Sequence, residues 1–224
     1  MIDAHLYRLM SWLSPAYPLG SFSYSHGIEY AVEAGRIRGA DELLAWVTVA
    51  VEKGAGLSDA ALLAASWRSA AEKDALDTVV ELARAWRGSA ETALESEAQG
   101  AAFLATTRLA WPHEGLDALH DRHQGKVALP VAVGVSAALQ GIPLEASLTA
   151  YLHSFAGTLV SAGIRLVPLG QSAGQKIIAA LEPVVARTRG AAMATPIEEI
   201  GTASLALDIA SMRHETQYTR LFRS

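Results

Sequence analysis

The chain has 224 residues and no cysteine, which excludes disulfides, thiolate catalysis, iron–sulfur ligation and any Cys-based zinc site. Its 18 basic and 23 acidic residues give a formal charge of −5 with no long basic run, so nucleic acid is not an expected partner. The length predicts one domain, able to bury about 70% of its extended surface without staples.

The opening residues, MIDAHLYRLMSWL, place an acid at position 3 and polar interruptions among the apolar residues, unlike a secretory signal. Residues 3–13 read as a short amphipathic helix with Leu6, Leu9, Met10 and Leu13 on one face. Residues 11–29, SWLSPAYPLGSFSYSHGIE, depart from the Ala/Leu/Val-rich character of the rest. Pro15 and Pro18 fix φ and lack backbone donors, so the first helix is expected to stop at or before Ser14. Gly20 permits a tight turn, and Ser21 or Ser23 can cap a second helix over about residues 23–34, closed by Gly35. Glu29 then lies too deep to close a capping box, so its carboxylate is either solvated or paired. Two readings remain open for this stretch: a corner whose aromatics fill the core, or a shaped surface for a partner.

Asp41 opens a third helix with Leu43, Leu44, Val47 and Val51 as its apolar stripe, and residues 53–56 break it. Further helices are expected from Ser58, from Asp74 to Gly88, and from Ser89 or Glu91 to about Ala110, with Gly100 marking a close helix–helix contact. Residues 113–126 form a polar connector with one helical turn or two. Residues 129–140 are small and apolar on every side, the pattern of a central helix. A long helix runs from Leu144 to about Leu166, followed by helices over about 172–188 and 198–211 with a loop between them. Residues 127–144 and 147–164 carry no charge, yet proline, glycine, His153 and hydroxyls interrupt them, so they read as buried core rather than membrane spans. The expected fold is an all-α single-domain helical bundle of about ten helices around 129–140, over residues 1–211. Residues 212–224 read as an extended or loosely helical arm, disordered alone and ordered on binding.

Four chemical motifs can be weighed. Residues 168–177, PLGQSAGQKI, fail as a phosphate-binding loop: the glycines are too close, and Ile177 stands where a hydroxyl is required. They read as an interhelical loop. His113, Asp117 and His120 would share a helix face and, with His123, offer a nickel or zinc set, although Gly115 argues for a solvated connector. Ser23 or Ser25 with His26 and Glu29 could form a nucleophile–base–acid set, but neither a nucleophile elbow nor HExxH is present, and no enzyme activity is expected. Finally, Arg213, Arg220 and Arg223 interleave with His214, Tyr218 and Phe222, a composition suited to docking.

Three separated motifs resemble one family. The leucine-rich helix followed by SPAYPLGSFSYSHGIE resembles the opening signature of the UreF urease accessory proteins. The final residues supply Met212, His214, Glu215, Arg220, Leu221, Phe222 and Ser224 of the family's Met-x-His-Glu-x-x-x-x-Arg-Leu-Phe-x-Ser ending. Between them, Gly134 through Pro143 and the run from Arg165 to Gln175 agree as well. The resemblance is collinear from about residue 6 onward and loose over 56–125, so the His/acid cluster is not carried over as a family feature.

The resemblance implies an all-α, non-catalytic, commonly dimeric scaffold of the cytoplasm, without a cofactor of its own. It implies binding to UreD (UreH in some systems) and to the GTPase UreG, and action on apo-urease during nickel insertion. Partner contact is then expected at Met212, Arg213, His214, Glu215, Tyr218, Arg220, Leu221 and Phe222 of the tail. It is also expected at Pro15, Gly20, Phe22, Ser23, His26 and Glu29 of the corner, and at Gly170, Gln171 and Gln175. Two alternatives accompany this reading: a GTPase-activating regulator using Arg213 or Arg220, and a direct nickel carrier using the 113–123 cluster.

Overall fold

A computed structural model describes residues 2–223. In chain order the helices are α1 (Ile2–Trp12), α2 (Ile28–Glu33), α3 (Ala40–Glu52), α4 (Ala55–Arg68), α5 (Lys73–Ala85), α6 (Ala90–Ala110), α7 (Glu114–His123), α8 (Leu129–Leu139), α9 (Leu144–Leu166), α10 (Gln171–Ala194) and α11 (Leu205–His214). Two 3-10 turns cover Ser21–Ser23 and Ile197–Glu199, and no strand occurs among the described residues.

Helix α8 has no polar stripe, and every residue from Pro130 to Ala137 is buried. It packs on α4 and α6, as its composition predicts. The approach of α6 depends on Gly100: a Cβ there would collide with the Val127 carbonyl oxygen and the backbone of Ala128 and Leu129. Ser89 starts α6, its hydroxyl accepting from the Thr92 N–H while the Thr92 hydroxyl accepts from the Ser89 N–H. Helix α5 is amphipathic, burying Leu76, Val79, Val80 and Ala83 at helical spacing. Helix α10 lies across α3, α4 and α9.

Several boundaries differ from expectation for local reasons. Helix α10 continues through Gly190 because Val184, Val185, Thr188 and Ala192 prolong its buried face, and that burial outweighs the weak helix propensity of one glycine. The last helix starts only at Leu205, since the Ala203 N–H donates to the Lys53 carbonyl (2.7 Å) and holds the preceding residues out of a helix. The polar connector is a full helix, α7, which buries Leu116 and Leu119. No described helix is long and apolar enough to cross a membrane.

The two readings of residues 11–29 divide by residue. Trp12 is fully buried, with its ring edge-on to Phe103 (5.7 Å) and Trp111 (5.8 Å). Tyr17 is buried beside Phe103 and shares a 2.9 Å hydrogen bond with the Thr107 hydroxyl. Phe22 is exposed. The corner therefore supplies core aromatics and an apolar surface residue together.

Candidate functional site

The helix expected over 23–34 begins only at Ile28. The cause is two successive left-handed residues, His26 (φ 51) and Gly27 (φ 76), so neither Ser21 nor Ser23 caps it. Gly27 is needed on a second ground. A Cβ there would stand 2.6 Å from the Ser211 nitrogen of α11. The turn lets α11 lie against α2, and it places Glu29 in the first turn of α2 with its side chain buried.

Glu29 is paired, and its partners come from the far end of the chain. Its Oε1 accepts the Leu221 N–H at 2.6 Å and its Oε2 accepts the Phe222 N–H at 2.9 Å. The same Oε2 lies 3.1 Å from His214 Nε2, and His214 Nδ1 lies 2.8 Å from Glu91 Oε2. The His214 ring is fully buried and meets a carboxylate at each nitrogen. Arg220 Nη1 donates to Glu91 Oε1 at 2.7 Å, completing a set of two acids and two bases.

Further bonds fix the segment on both sides. The Arg223 N–H donates to the Ser23 carbonyl (2.7 Å), the Ala90 N–H donates to Glu215 Oε1 (2.9 Å), and Gln217 donates to Glu33. Ser89 and Ser211 share a 2.8 Å hydroxyl bond. Phe222 is buried, with the Arg165 guanidinium 4.5 Å from its ring centroid, and Arg165 Nη2 also donates to the Phe22 carbonyl at 2.8 Å. The expectation of an arm apart from the core is thus corrected. Helix α11 runs to His214 rather than Ser211, and residues 214–223 close over the corner. Ser224 lies outside the described residues.

This geometry sorts the candidate residues. Glu29, His214 and Phe222 are interior and hold the tail to the corner. Pro15, Phe22, Met212, Arg213, Glu215, Tyr218, Arg220 and Leu221 are exposed, while Gly20, Ser23 and His26 are partly covered. Gly170, Gln171 and Gln175 do not form a loop: Gly170 is the N-cap of α10, Gln171 opens that helix and Gln175 follows one turn later, both glutamines exposed. Glu91 and Arg165 hold the site without having been singled out from the sequence. Arg165 stood in a quoted motif, whereas Glu91 carried no signal beyond an acid in a first helical turn.

The proposed metal set is not assembled. His113 is extended (φ −155) and caps α7, its Nδ1 accepting the Gly115 N–H at 3.1 Å, so it falls outside the helical face expected to align it with Asp117 and His120. Asp117 pairs with Arg108 (2.7 Å), His120 with Asp121 (3.1 Å) and His123 with Asp77 (2.8 Å). Among the described residues no group of three or more such side chains is placed to hold a metal ion. The serine–histidine–glutamate set is likewise not assembled, because His26 faces Glu95 and Glu29 faces the tail.

His26 and Glu95 lie on the wall of a cavity of about 580 Å³ beneath the corner. His26 Nε2 is 2.9 Å from Glu95 Oε1, which also accepts from Gln99 Nε2 at 2.9 Å. Burial opposes a charge on His26 and Arg87 opposes it too, but the charge and hydrogen bond of Glu95, with Asp59 nearby, outweigh them and raise its pKa. The stability this pair contributes is fully present below the unfolded-state value near 6.5 and is lost as pH rises through the higher folded value. The denaturant midpoint should therefore fall between pH 6 and pH 8.5 by more in the wild type than in Glu95→Gln. Equal falls would remove the pair from this role.

The UreF family model matches residues 37–182. A Granulibacter bethesdensis protein called urease accessory protein UreF is 51% identical over 99% of this chain and 95% of its own length. A Rhodopseudomonas palustris protein of the same name is 51% identical over 99% of this chain and 92% of its own length. One from Bradyrhizobium diazoefficiens is 47% identical over 99% and 92%.

Proposed function

The chain belongs to the UreF family of urease accessory proteins, and on that premise we propose that it is a non-catalytic scaffold for nickel insertion into apo-urease. In this reading it binds UreD/UreH and the GTPase UreG in the cytoplasm, as a homodimer, and nickel is cargo of the assembly rather than a resident cofactor. The observation that carries the proposal is the tail-on-corner site. Exposed Phe22, Met212, Tyr218 and Leu221 stand on segments fixed from below by Glu29, His214 and Arg165. A preordered apolar surface loses less entropy on docking than a free arm would. Coupling a GTPase's state to assembly then requires that the surface bind its conformations differently, not that the scaffold perform chemistry.

The GTPase-activating alternative asks an arginine to reach into a partner's active site. Arg220 is instead engaged with Glu91, which suits it to holding the tail. The direct-carrier alternative finds no gathered set of ligands among the described residues.

The test is co-purification of the chain with cognate UreD-like and UreG-like proteins, comparing wild type with Tyr218→Ala/Leu221→Ala. Both positions are exposed, so the fold and thermal midpoint should stay as they are. Binding should weaken by about tenfold or more. Removing residues 212–224 is a poorer test, since it strips the buried Glu29 carboxylate of its partners and confuses lost binding with lost fold. Undiminished complex formation by the double variant would exclude this surface.

A further inference from the structure

The cavity beneath the corner is within the range of about 300–1,000 Å³ typical of small-molecule sites, at about 580 Å³. Leu13, Leu19, Phe155 and Leu207 give it apolar walls, and Phe22 and Trp86, both exposed, stand on the same wall. Its charged and titratable wall residues are Asp59, Arg87, Glu95 and Asp208, with His26 and His153.

Two of the three acids already have basic partners. Asp59 pairs with Arg87 at 2.9 Å, and Glu95 meets His26 at 2.9 Å. Asp208 has none: the influences on its carboxyl are burial and one hydroxyl, with no neighbouring charge among them. It is only half-buried, in the first turn of α11, so its carboxylate keeps open surface. Its Oδ1 lies against Gly88, another wall residue, where a Cβ would stand 3.2 Å away. Trp86 precedes Gly88 by two residues in the connection from α5 to α6, which puts an exposed aromatic ring at the same end of the cavity. Burial raises the Asp208 pKa, and the Ser204 hydroxyl, which donates to it, lowers it by less. The negative charge is thus under-compensated where it stands, and a bound cation would compensate it. Aromatic rings attract a cation, and the apolar walls suit a hydrocarbon.

We propose that this cavity binds a small primary ammonium ion with a short hydrocarbon body, its ammonium at Asp208 and its body among the apolar walls. A small polar amine would use the carboxylate and leave the apolar volume empty. A neutral alcohol would do the reverse.

Hexylammonium, methylammonium and hexanol should be titrated into the full-length protein by calorimetry at constant ionic strength. Hexylammonium is expected to bind saturably and at least about tenfold more tightly than either of the others. Asp208→Asn should weaken hexylammonium by about tenfold or more and leave hexanol unchanged. Asparagine has nearly the same shape and still accepts from Ser204, so the fold and thermal midpoint should hold. Gly157→Leu is the second variant. Gly157 lines the cavity within α9, and a Cβ there meets nothing within 4 Å. Leucine should fill the space, keep or raise the thermal midpoint through helix propensity, and weaken hexylammonium by about tenfold or more. That loss separates occupation of the cavity from adsorption to an acidic surface. Absence of saturable hexylammonium binding, equal binding of methylammonium or hexanol, or unchanged binding to folded Asp208→Asn or Gly157→Leu would each overturn the proposal.

Discussion

Replacing Glu29 with glutamine is expected to free residues 214–223 from the corner and to cost about 3 kcal/mol of stability. The carboxylate accepts from two backbone N–H groups and from the His214 ring, and glutamine offers one acceptor oxygen where two are used. Its amide N–H₂ would face donors, leaving buried hydrogens unmatched and His214 with one carboxylate partner instead of two. The loss is global as well as local, because Phe222 leaves its buried position under Arg165 when its backbone is released. Denaturant titration gives the energy, and hydrogen exchange locates it: the amides of Leu221 and Phe222 should lose protection. Glu215→Gln is the contrast. That side chain is exposed and holds a single N–H, so its cost should stay within about 0.5 kcal/mol. Unchanged exchange at Leu221 and Phe222 in Glu29→Gln would refute the anchoring role.

Gly100→Ala should be more damaging still, although it adds one methyl group. The added carbon would overlap the Val127 carbonyl oxygen, and the obstacle is backbone at the start of the central helix, which cannot rotate away as a side chain could. Helices α6 and α8 must separate, opening contacts along the most buried element. We expect a loss of more than about 3 kcal/mol, which for a chain of this size lowers the thermal midpoint by about 6–12 °C or more. A midpoint within a degree or two of wild type would show that α8 can shift.

The elements most legible from sequence were those whose cause is local. Helix α8 announced itself by lacking any polar face, and α9 by apolar spacing between Pro143 and Pro168, so both were placed within a residue or so of their observed bounds. Gly100 stood out as a glycine inside a strong helical pattern. The corner was legible as exceptional but not in its geometry. Whether Ser23 or Ile28 starts α2 depends on the left-handed turn at His26 and Gly27, and Gly27 is fixed by the approach of α11, which no local pattern encodes. Glu29 shows the same division. The sequence left its carboxylate either solvated or paired and placed it deep in a helix, whereas it lies in the first turn of α2 and its partners lie across the whole fold. The tail was read as an arm because its composition is polar and aromatic. Composition does not reveal that His214 and Phe222 point inward while Tyr218 and Leu221 point out.

The bond from Leu221 to Glu29 spans 192 residues of chain. At ribosomal speeds of about 5–20 residues per second, Glu29 emerges roughly 10–40 s before the groups that satisfy it. Throughout that interval the nascent chain carries an unfinished corner, its carboxylate held in water rather than inside the fold. The tail-on-corner surface therefore forms only after Leu221 and Phe222 have been made, long after the corner that receives them.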